Sequence, residues 1–198
     1  MAIQKRPILF LIALSSILAQ DLFAQTLEIE GGQQVPYGWV ITKTRRVGNT
    51  QTKQLITRID QLPNESELEI FTSPYQTIPK GWVIIRYRRS KDVFGNDIAK
   101  PTIKRIDGYE SGKEIEVVQT LNLPNGWLTI NARNITGVFG APTTIRKIKN
   151  TNGLPVGTEL EIRTSPYELL PNGWIIISNR SIKINQVNVF IARIRRVS

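Results

Sequence analysis

The sequence predicts an all-β fold of four tandem three-stranded antiparallel repeats, about 12 strands with internal pseudo-symmetry. Three recurring phrases predict it. Pro-x-Gly-Trp occurs four times and contains every tryptophan, at spacings of 43, 45 and 47 residues. An alternating phrase of the Leu-Glu-Ile type precedes each copy, and an Ile-x-Arg/Lys-Ile phrase follows it. The repeats could form two small barrels or sandwiches, or one closed array.

The first 24 residues are predicted to be a cleaved signal peptide and not part of the fold. Lys5 and Arg6 precede a short apolar run over residues 8–19, and the small residue Ala24 stands before Gln25. This order is typical of a secretory signal. The apolar run is shorter than the roughly 20 residues that cross a membrane. We therefore expect a mature chain without a transmembrane anchor that is secreted, periplasmic or at the cell surface.

The mature region, residues 25–198, divides into repeats of similar length. Its repeats are 26–62, 63–109, 110–154 and 155–198. From the glutamate of the first phrase to the tryptophan there are 11, 13, 11 and 13 residues. This alternation indicates that a two-repeat unit was duplicated, and units of 25–109 and 110–198 follow from it.

Within each repeat the elements are predicted in chain order. The Leu-Glu-Ile phrase alternates apolar and polar residues, as a half-buried strand does. Pro-x-Gly is turn chemistry, because proline presets φ and glycine supplies a positive φ. The tryptophan begins a second, aliphatic strand, and the Ile-x-Arg/Lys-Ile phrase gives the third. The simplest arrangement is a meander, with a hairpin at each Pro-x-Gly.

The tryptophans are predicted to lie in the core. In a hairpin across Pro-x-Gly the residue before proline would face tryptophan, and it is aliphatic in every copy: Val35, Ile78, Leu123 and Leu170. A tryptophan with an aliphatic cross-strand partner is typical of a core position. Exposed tryptophans that stack on sugars are the rival interpretation. The residues concerned are Trp39, Trp82, Trp127 and Trp174.

The repeated glutamates are predicted to be cross-strand charge partners. The hairpin register places Glu28 opposite Arg46 and Glu116 opposite Asn134. It places Glu69 opposite Lys91 and Glu161 opposite Lys183. Repeated carboxylates for catalysis or for calcium are the alternative.

No catalytic constellation stands out. The chain contains no histidine and no cysteine, which removes the commonest general base and the soft metal ligands. Asp92 and Asp97 could bind calcium weakly, but they lack the spacing of a calcium loop. The sequence therefore predicts a protein that is not an enzyme and that has no cofactor and no metal.

Charge is the strongest functional signal. The mature region has 24 basic and 15 acidic residues, a net charge of +9, which favours acidic partners. An arginine recurs six residues after each tryptophan: Arg45, Arg88, Arg133 and Arg180. A second basic position recurs in the third phrase: Arg58, Arg105, Lys147 and Arg193. These side chains either end strands with the guanidinium in water or form repeated anion sites.

Three functional classes remain open on the sequence alone. The first is an exported noncatalytic binding module for an acidic polysaccharide or another surface polyanion, with Arg45, Arg88, Arg133 and Arg180 as ligands. The second is a structural or adhesive surface component that assembles through its β-repeats by self-association. The third is an enzyme or an enzyme inhibitor. A nucleic-acid partner is not expected, because the chain is exported and carries no nucleic-acid motif.

Overall fold

The protein is all-β, as its repeats predict. The computed structural model describes residues 25–118, 123–164, 170–184 and 187–198, so the predicted signal peptide lies outside the described residues. Within these described ranges twelve strands form four three-stranded antiparallel sheets, one for each repeat. The strands are β1 Thr26–Glu30, β2 Trp39–Val47, β3 Gln51–Arg58, β4 Glu67–Glu69, β5 Trp82–Lys91, β6 Asp97–Arg105, β7 Glu114–Val118, β8 Trp127–Thr136, β9 Pro142–Asn150, β10 Glu159–Thr164, β11 Trp174–Ile184 and β12 Val187–Arg196.

The predicted meander is wrong, because the third strand of each repeat is central. The sheet orders are β1-β3-β2, β4-β6-β5, β7-β9-β8 and β10-β12-β11. The first and second strands of a repeat are therefore parallel outer strands, and the connection with Pro-x-Gly crosses over the central strand. A Pro-x-Gly turn is compatible with a crossover connection of this kind as well as with a hairpin. The phrase therefore identifies a turn but does not say which strands pair.

Pro-x-Gly-Trp is a β-turn that fixes where each second strand begins. The backbone N–H of the tryptophan donates to the backbone carbonyl of the proline at 3.1 to 3.3 Å in all four repeats. The glycines have φ between +81° and +86°, the left-handed region that the third residue of a type II turn requires. At Gly81 a Cβ would lie 2.0 Å from Oδ2 of Asp107, the end of a flexible side chain, so glycine is required there by φ and not by space.

Each second strand contains a β-bulge at the third residue after its tryptophan. The residue without a partner in the ladder is Thr42, Ile85, Ile130 or Ile177. An extra residue reverses the facing of every later side chain relative to a regular strand. The arginine six residues after tryptophan therefore faces the opposite side of the sheet from the tryptophan.

The register corrects the third phrase in two repeats. Trp39 and Trp82 lie opposite Arg58 and Arg105, but Trp127 and Trp174 lie opposite Asn150 and Arg196. The equivalent segments are therefore 148–151 and 194–197, three residues after the Ile-x-Arg/Lys-Ile matches that contain Lys147 and Arg193. At the true positions repeat 3 has Ile-Lys-Asn-Thr and repeat 4 has Ile-Arg-Arg-Val, so the full phrase matches only at the wrong place.

Four hydrophobic clusters of described residues join the repeats in series. In chain order they are the first cluster (Val35, Ile41, Ile56 with Phe71), the second (Val40, Ile59, Ile70, Trp82, Ile84, Ile103, Val118, Ile145), the third (Val83, Ile106, Val117, Trp127, Ile148) and the fourth (Leu128, Ile162, Trp174, Ala192, Ile194). The third cluster crosses the boundary between residues 109 and 110. Among the described residues no helix is long and apolar enough to cross a membrane.

Residues at equivalent positions pack together at each boundary between repeats. The tryptophan of one repeat shares a cluster with the residue that follows the tryptophan of the previous repeat. Trp82 packs in this way with Val40, and Trp174 with Leu128. The residue before proline packs against the same cluster as its own tryptophan, as Ile78 does with Trp82. The repeated phrase therefore builds the interface between neighbouring repeats.

At each apolar boundary the side chain of the residue opposite tryptophan donates hydrogen bonds to backbone carbonyls of the preceding linker. We call this residue the clamp residue. Arg105 donates from Nη1 to the carbonyls of Asp60, at 3.0 Å, and of Leu62. At the next boundary Asn150 Nδ2 donates to the carbonyl of Tyr109 at 2.7 Å. Arg196 makes the equivalent bond to the carbonyl of Leu154. The residue opposite tryptophan thus satisfies the carbonyls of the linker that enters its repeat.

Candidate functional site

The predicted anion-binding arginines lie on one charged face of each sheet. The cross-strand register places them on the same side as the repeated glutamates. We call this side the charged face; its ionisable residues are Glu28, Glu30, Lys43, Arg45 and Lys53 in repeat 1; Glu67, Glu69, Arg86, Arg88, Lys100 and Lys104 in repeat 2; Glu114, Glu116, Arg133, Lys147 and Lys149 in repeat 3; and Glu159, Glu161, Arg163, Arg180, Arg193 and Arg195 in repeat 4.

Each of these arginines contacts the glutamate of its own repeat. The distances are 2.9 Å for Arg45–Glu28, 2.9 Å for Arg88–Glu69, 3.1 Å for Arg133–Glu116 and 3.8 Å for Arg180–Glu161. The predicted partners Arg46, Lys91, Asn134 and Lys183 are wrong, because the first and second strands are not adjacent and the bulge changes the facing. The glutamates are charge partners, but of the candidate arginines themselves.

Cations outnumber carboxylates on the charged face. Counted over the strand residues that the structure describes, three cations accompany two carboxylates in repeats 1 and 3, and four accompany two in repeats 2 and 4. The central strand supplies many of them: Lys53 lies 3.2 Å from Glu28, and Lys100 lies 3.3 Å from Glu69. After internal pairing, every repeat therefore keeps a positive excess on this face.

The arginines remain accessible. Their side chains are between 56% and 65% exposed. Arg88 and Arg133 donate to their glutamates from Nη2 alone. Because a guanidinium carries five N–H donors in a planar fork, the remaining donors can bind an oxyanion.

Equivalent hollows surround two of the four arginines. In repeat 4 a cavity of ≈ 330 Å³ is lined by Glu161, Ser178, Arg180 and Arg193 among others. In repeat 3 a smaller cavity of ≈ 30 Å³ is lined by the equivalent positions, Glu116, Asn131, Arg133 and Lys147 among them. A concave surface around the arginine thus recurs in repeats 3 and 4, and it is much larger in repeat 4.

The charge pairs lower the pKa of several carboxyls. Hydrogen bonds from Arg45 and then Lys53 hold the pKa of Glu28 below its usual value. Bonds from Lys147 and Lys149 do the same for the pKa of Glu114. A bond from Arg195 is the largest cause of the lowered pKa of Glu159. In each case the folded state favours the ionised carboxylate.

These shifts predict a specific pH dependence of stability. A carboxyl with a lowered folded pKa stabilises the fold above its unfolded pKa of about 4.3, and that contribution is lost as pH falls through the folded pKa. The chain has no histidine. We therefore expect a melting temperature that is nearly constant between about pH 5.5 and 8 and falls below about pH 4.5. Calorimetry across this range tests it; a steep change near neutral pH would contradict it.

The tryptophans lie in or beside the clusters. Trp82, Trp127 and Trp174 are buried, with exposures of 5%, 6% and 7%, and Trp39 is partly buried in the first repeat. Tyr109 makes an edge contact with Trp127 at a centroid distance of 6.0 Å. Three of the four rings are therefore not surfaces on which a sugar could stack.

Asp92 and Asp97 are engaged within the hairpin between β5 and β6. Asp92 accepts hydrogen bonds from the backbone N–H groups of Phe94 and Asn96, both at 2.8 Å. Asp97 pairs with Arg89 at 2.6 Å. In the part of the chain that the structure describes, no three His, Cys, Asp or Glu side chains are grouped to hold a metal ion.

The cations that the central strand contributes to the charged face were not predicted from the sequence. Lys53 and Lys100 occupy equivalent places opposite Arg45 and Arg88. They are recognisable only when the position of the bulge is known.

Comparisons with protein-family models, curated proteins and solved structures gave no match.

Proposed function

We propose that this protein is an exported noncatalytic binding module for an acidic polysaccharide or a similar surface polyanion. The observation that carries the proposal is the excess of cations on the charged face of every repeat, with Arg45, Arg88, Arg133 and Arg180 more than half exposed. Guanidinium groups match the geometry of sulfate, phosphate and carboxylate.

The repetition favours a polymer over a small anion. Each charged face keeps only a small positive excess, so a single contact in water is weak. A chain with regularly spaced negative groups can occupy several faces at once, and each further contact is then intramolecular. The ligand class proposed is therefore a long polyanion.

The glutamates would set the affinity. A polyanion that approaches Arg45 or Arg133 competes with Glu28 or Glu116 for the same guanidinium. Neutralising the carboxylates while keeping their shape should therefore strengthen binding. Removing the arginine charges should weaken it.

The experiment is chromatography on heparin, with elution between about 0.05 and 0.5 M salt, a range in which exposed charge contacts become screened. We expect the wild type to be retained at low salt. The variant with Arg45, Arg88, Arg133 and Arg180 changed to Gln should elute much earlier. The variant with Glu28, Glu69, Glu116 and Glu161 changed to Gln should elute later than the wild type.

A charge-matched control separates a specific face from net charge. Arg46, Lys80, Arg89 and Lys113 are cations outside the charged face, and their change to Gln removes the same charge. This control should elute close to the wild type, with circular dichroism confirming that all variants fold. Equal losses in the two cation variants would show that net charge and not the charged face carries retention, and passage of the wild type at low salt would overturn the proposal.

A further inference from the structure

The fourth repeat exposes positions that are buried in the other three. Ile175 and Ile176 follow Trp174 and are 46% and 47% exposed, and Val197 is 46% exposed. The equivalent residues of repeats 1 to 3 have exposures of 8% or less: Val40, Ile41, Ile59, Val83, Ile84, Ile106, Leu128, Thr129 and Thr151. Ile175 and Ile176 face opposite sides of the sheet, and the side of Ile175 is the one whose equivalents meet the following repeat. We therefore call Ile175 and Val197 the tail surface.

The buried equivalents show what such a surface contacts. Val40 and Ile59 share a cluster with Trp82 of the following repeat, and Val83 and Ile106 share one with Trp127. Each boundary in the chain is thus a tryptophan seated against the residue that follows the preceding tryptophan, and at the first two boundaries also against the equivalent of Val197. The tail surface carries the same aliphatic side chains with no following repeat against them among the described residues.

The opposite end carries the complementary positions. Trp39 is only partly buried, whereas Trp82, Trp127 and Trp174 are buried. Leu27 is 52% exposed, whereas the equivalent Leu68, Ile115 and Leu160 are partly buried against a cluster. We call Leu27 and Trp39 the head surface.

We propose that the chain self-associates head to tail, the head surface of one copy docking on the tail surface of a second copy. The partner is a second copy because the chain already contains this interface at its internal boundaries, built from the same residue types. Burial of these side chains on both partners supplies the driving force. Arg58, the first-repeat counterpart of the clamp residue Arg105, pairs with Asp60 at 2.7 Å in its own chain, so apolar contacts would carry the association.

The geometry of the assembly follows from the contact. A head-to-tail contact is heterologous, so every open assembly keeps one unused head surface and one unused tail surface, and growth continues until a ring closes. The inference is independent of the polyanion proposal, since it uses none of the ionisable residues of the charged face, although Ile175 lies opposite Arg195 on that side of the sheet.

The first measurement is sedimentation velocity of the purified protein between about 1 µM and 1 mM, a range that covers weak association. We expect the weight-average mass to rise with concentration beyond that of a dimer, unless a ring closes. A mass equal to the monomer at every concentration would overturn the proposal and would leave the tail surface to a partner of different sequence.

Two single variants make the test specific. Ile175→Lys blocks the tail, and Leu27→Lys blocks the head; both side chains are already exposed, so folding should persist. Each variant alone should be monomeric. Their equimolar mixture should form dimers and nothing larger, because one usable head then meets one usable tail.

Ile135→Lys in the third repeat is the matched control, since Ile135 is 36% exposed and lies outside both surfaces. It should associate like the wild type. Association of either blocked variant alone, or failure of their mixture to form dimers, would overturn the head-to-tail geometry. Loss of association in all three variants would show that added charge, and not the end surfaces, is responsible.

Discussion

Replacing Trp82 or Trp127 by alanine is expected to destabilise the fold by about 3–5 kcal/mol. Both rings are almost wholly buried and sit at a boundary between two repeats. Their removal leaves a cavity that the rigid surrounding strands cannot fill. Because whole domains are stable by only about 5–15 kcal/mol, either change should leave the protein near its unfolding threshold. Urea unfolding followed by circular dichroism measures the loss.

Trp39→Ala is the matched comparison. The same turn, strand and bulge surround Trp39, but the ring is only partly buried. We expect a clearly smaller loss of unfolding free energy. Equal losses at Trp39 and Trp82 would contradict the assignment of the boundary contact as the main source of stabilisation.

A second pair of substitutions should have different effects on stability at two equivalent positions in neighbouring repeats. Leu128 and Ile175 each follow a tryptophan directly, yet Leu128 is 1% exposed and Ile175 is 46% exposed. Leu128→Ala should cost about 2–5 kcal/mol through lost burial and a cavity. Ile175→Ala should cost about 0.5 kcal/mol or less, as at most surface positions.

Both variants are to be unfolded in urea at low protein concentration, where the tail surface is not occupied by another copy. A cost for Ile175→Ala that matches that for Leu128→Ala would show that the tail surface is already covered. Such a result would also contradict the exposure that the head-to-tail inference requires.

The repeats and their strands could be predicted from the sequence because they depend on local chemistry. Glycine at a positive φ and proline before it recur in each copy, and alternation of apolar residues marks the strands. The turns and strands need no knowledge of which strand lies beside which. Trp82, Trp127 and Trp174 are buried, but their expected burial was argued from a hairpin across Pro-x-Gly that the fold does not contain.

Strand order could not be predicted in the same way, because it is a tertiary property. Nothing in Pro-x-Gly distinguishes a hairpin from a crossover, so the first and second strands were expected to pair. The bulge had a further effect on the site. Counting six residues from Trp39 to Arg45 along a regular strand puts both on one face, whereas Thr42 is an extra residue and Arg45 faces Glu28 instead.

The candidate site was therefore predicted in part. The recurrence of Arg45 and its equivalents was visible in the sequence, but their carboxylate partners were assigned to the wrong basic residues. The central-strand cations Lys53 and Lys100 belong to the site through register alone. Their place follows from strand pairing, which the repeated phrases do not encode.

The serial arrangement of the clusters has a consequence for cooperativity. The second cluster contains residues of three repeats, from Val40 through Trp82 to Ile145, whereas the fourth repeat joins its neighbour in the fourth cluster through Leu128 and Ile130. Stability in such an array is a sum of repeat and neighbour terms. The first three repeats should therefore open together, and amide hydrogens of the fourth should exchange first. An assembly that covered the tail surface would protect the segment that otherwise frays most readily.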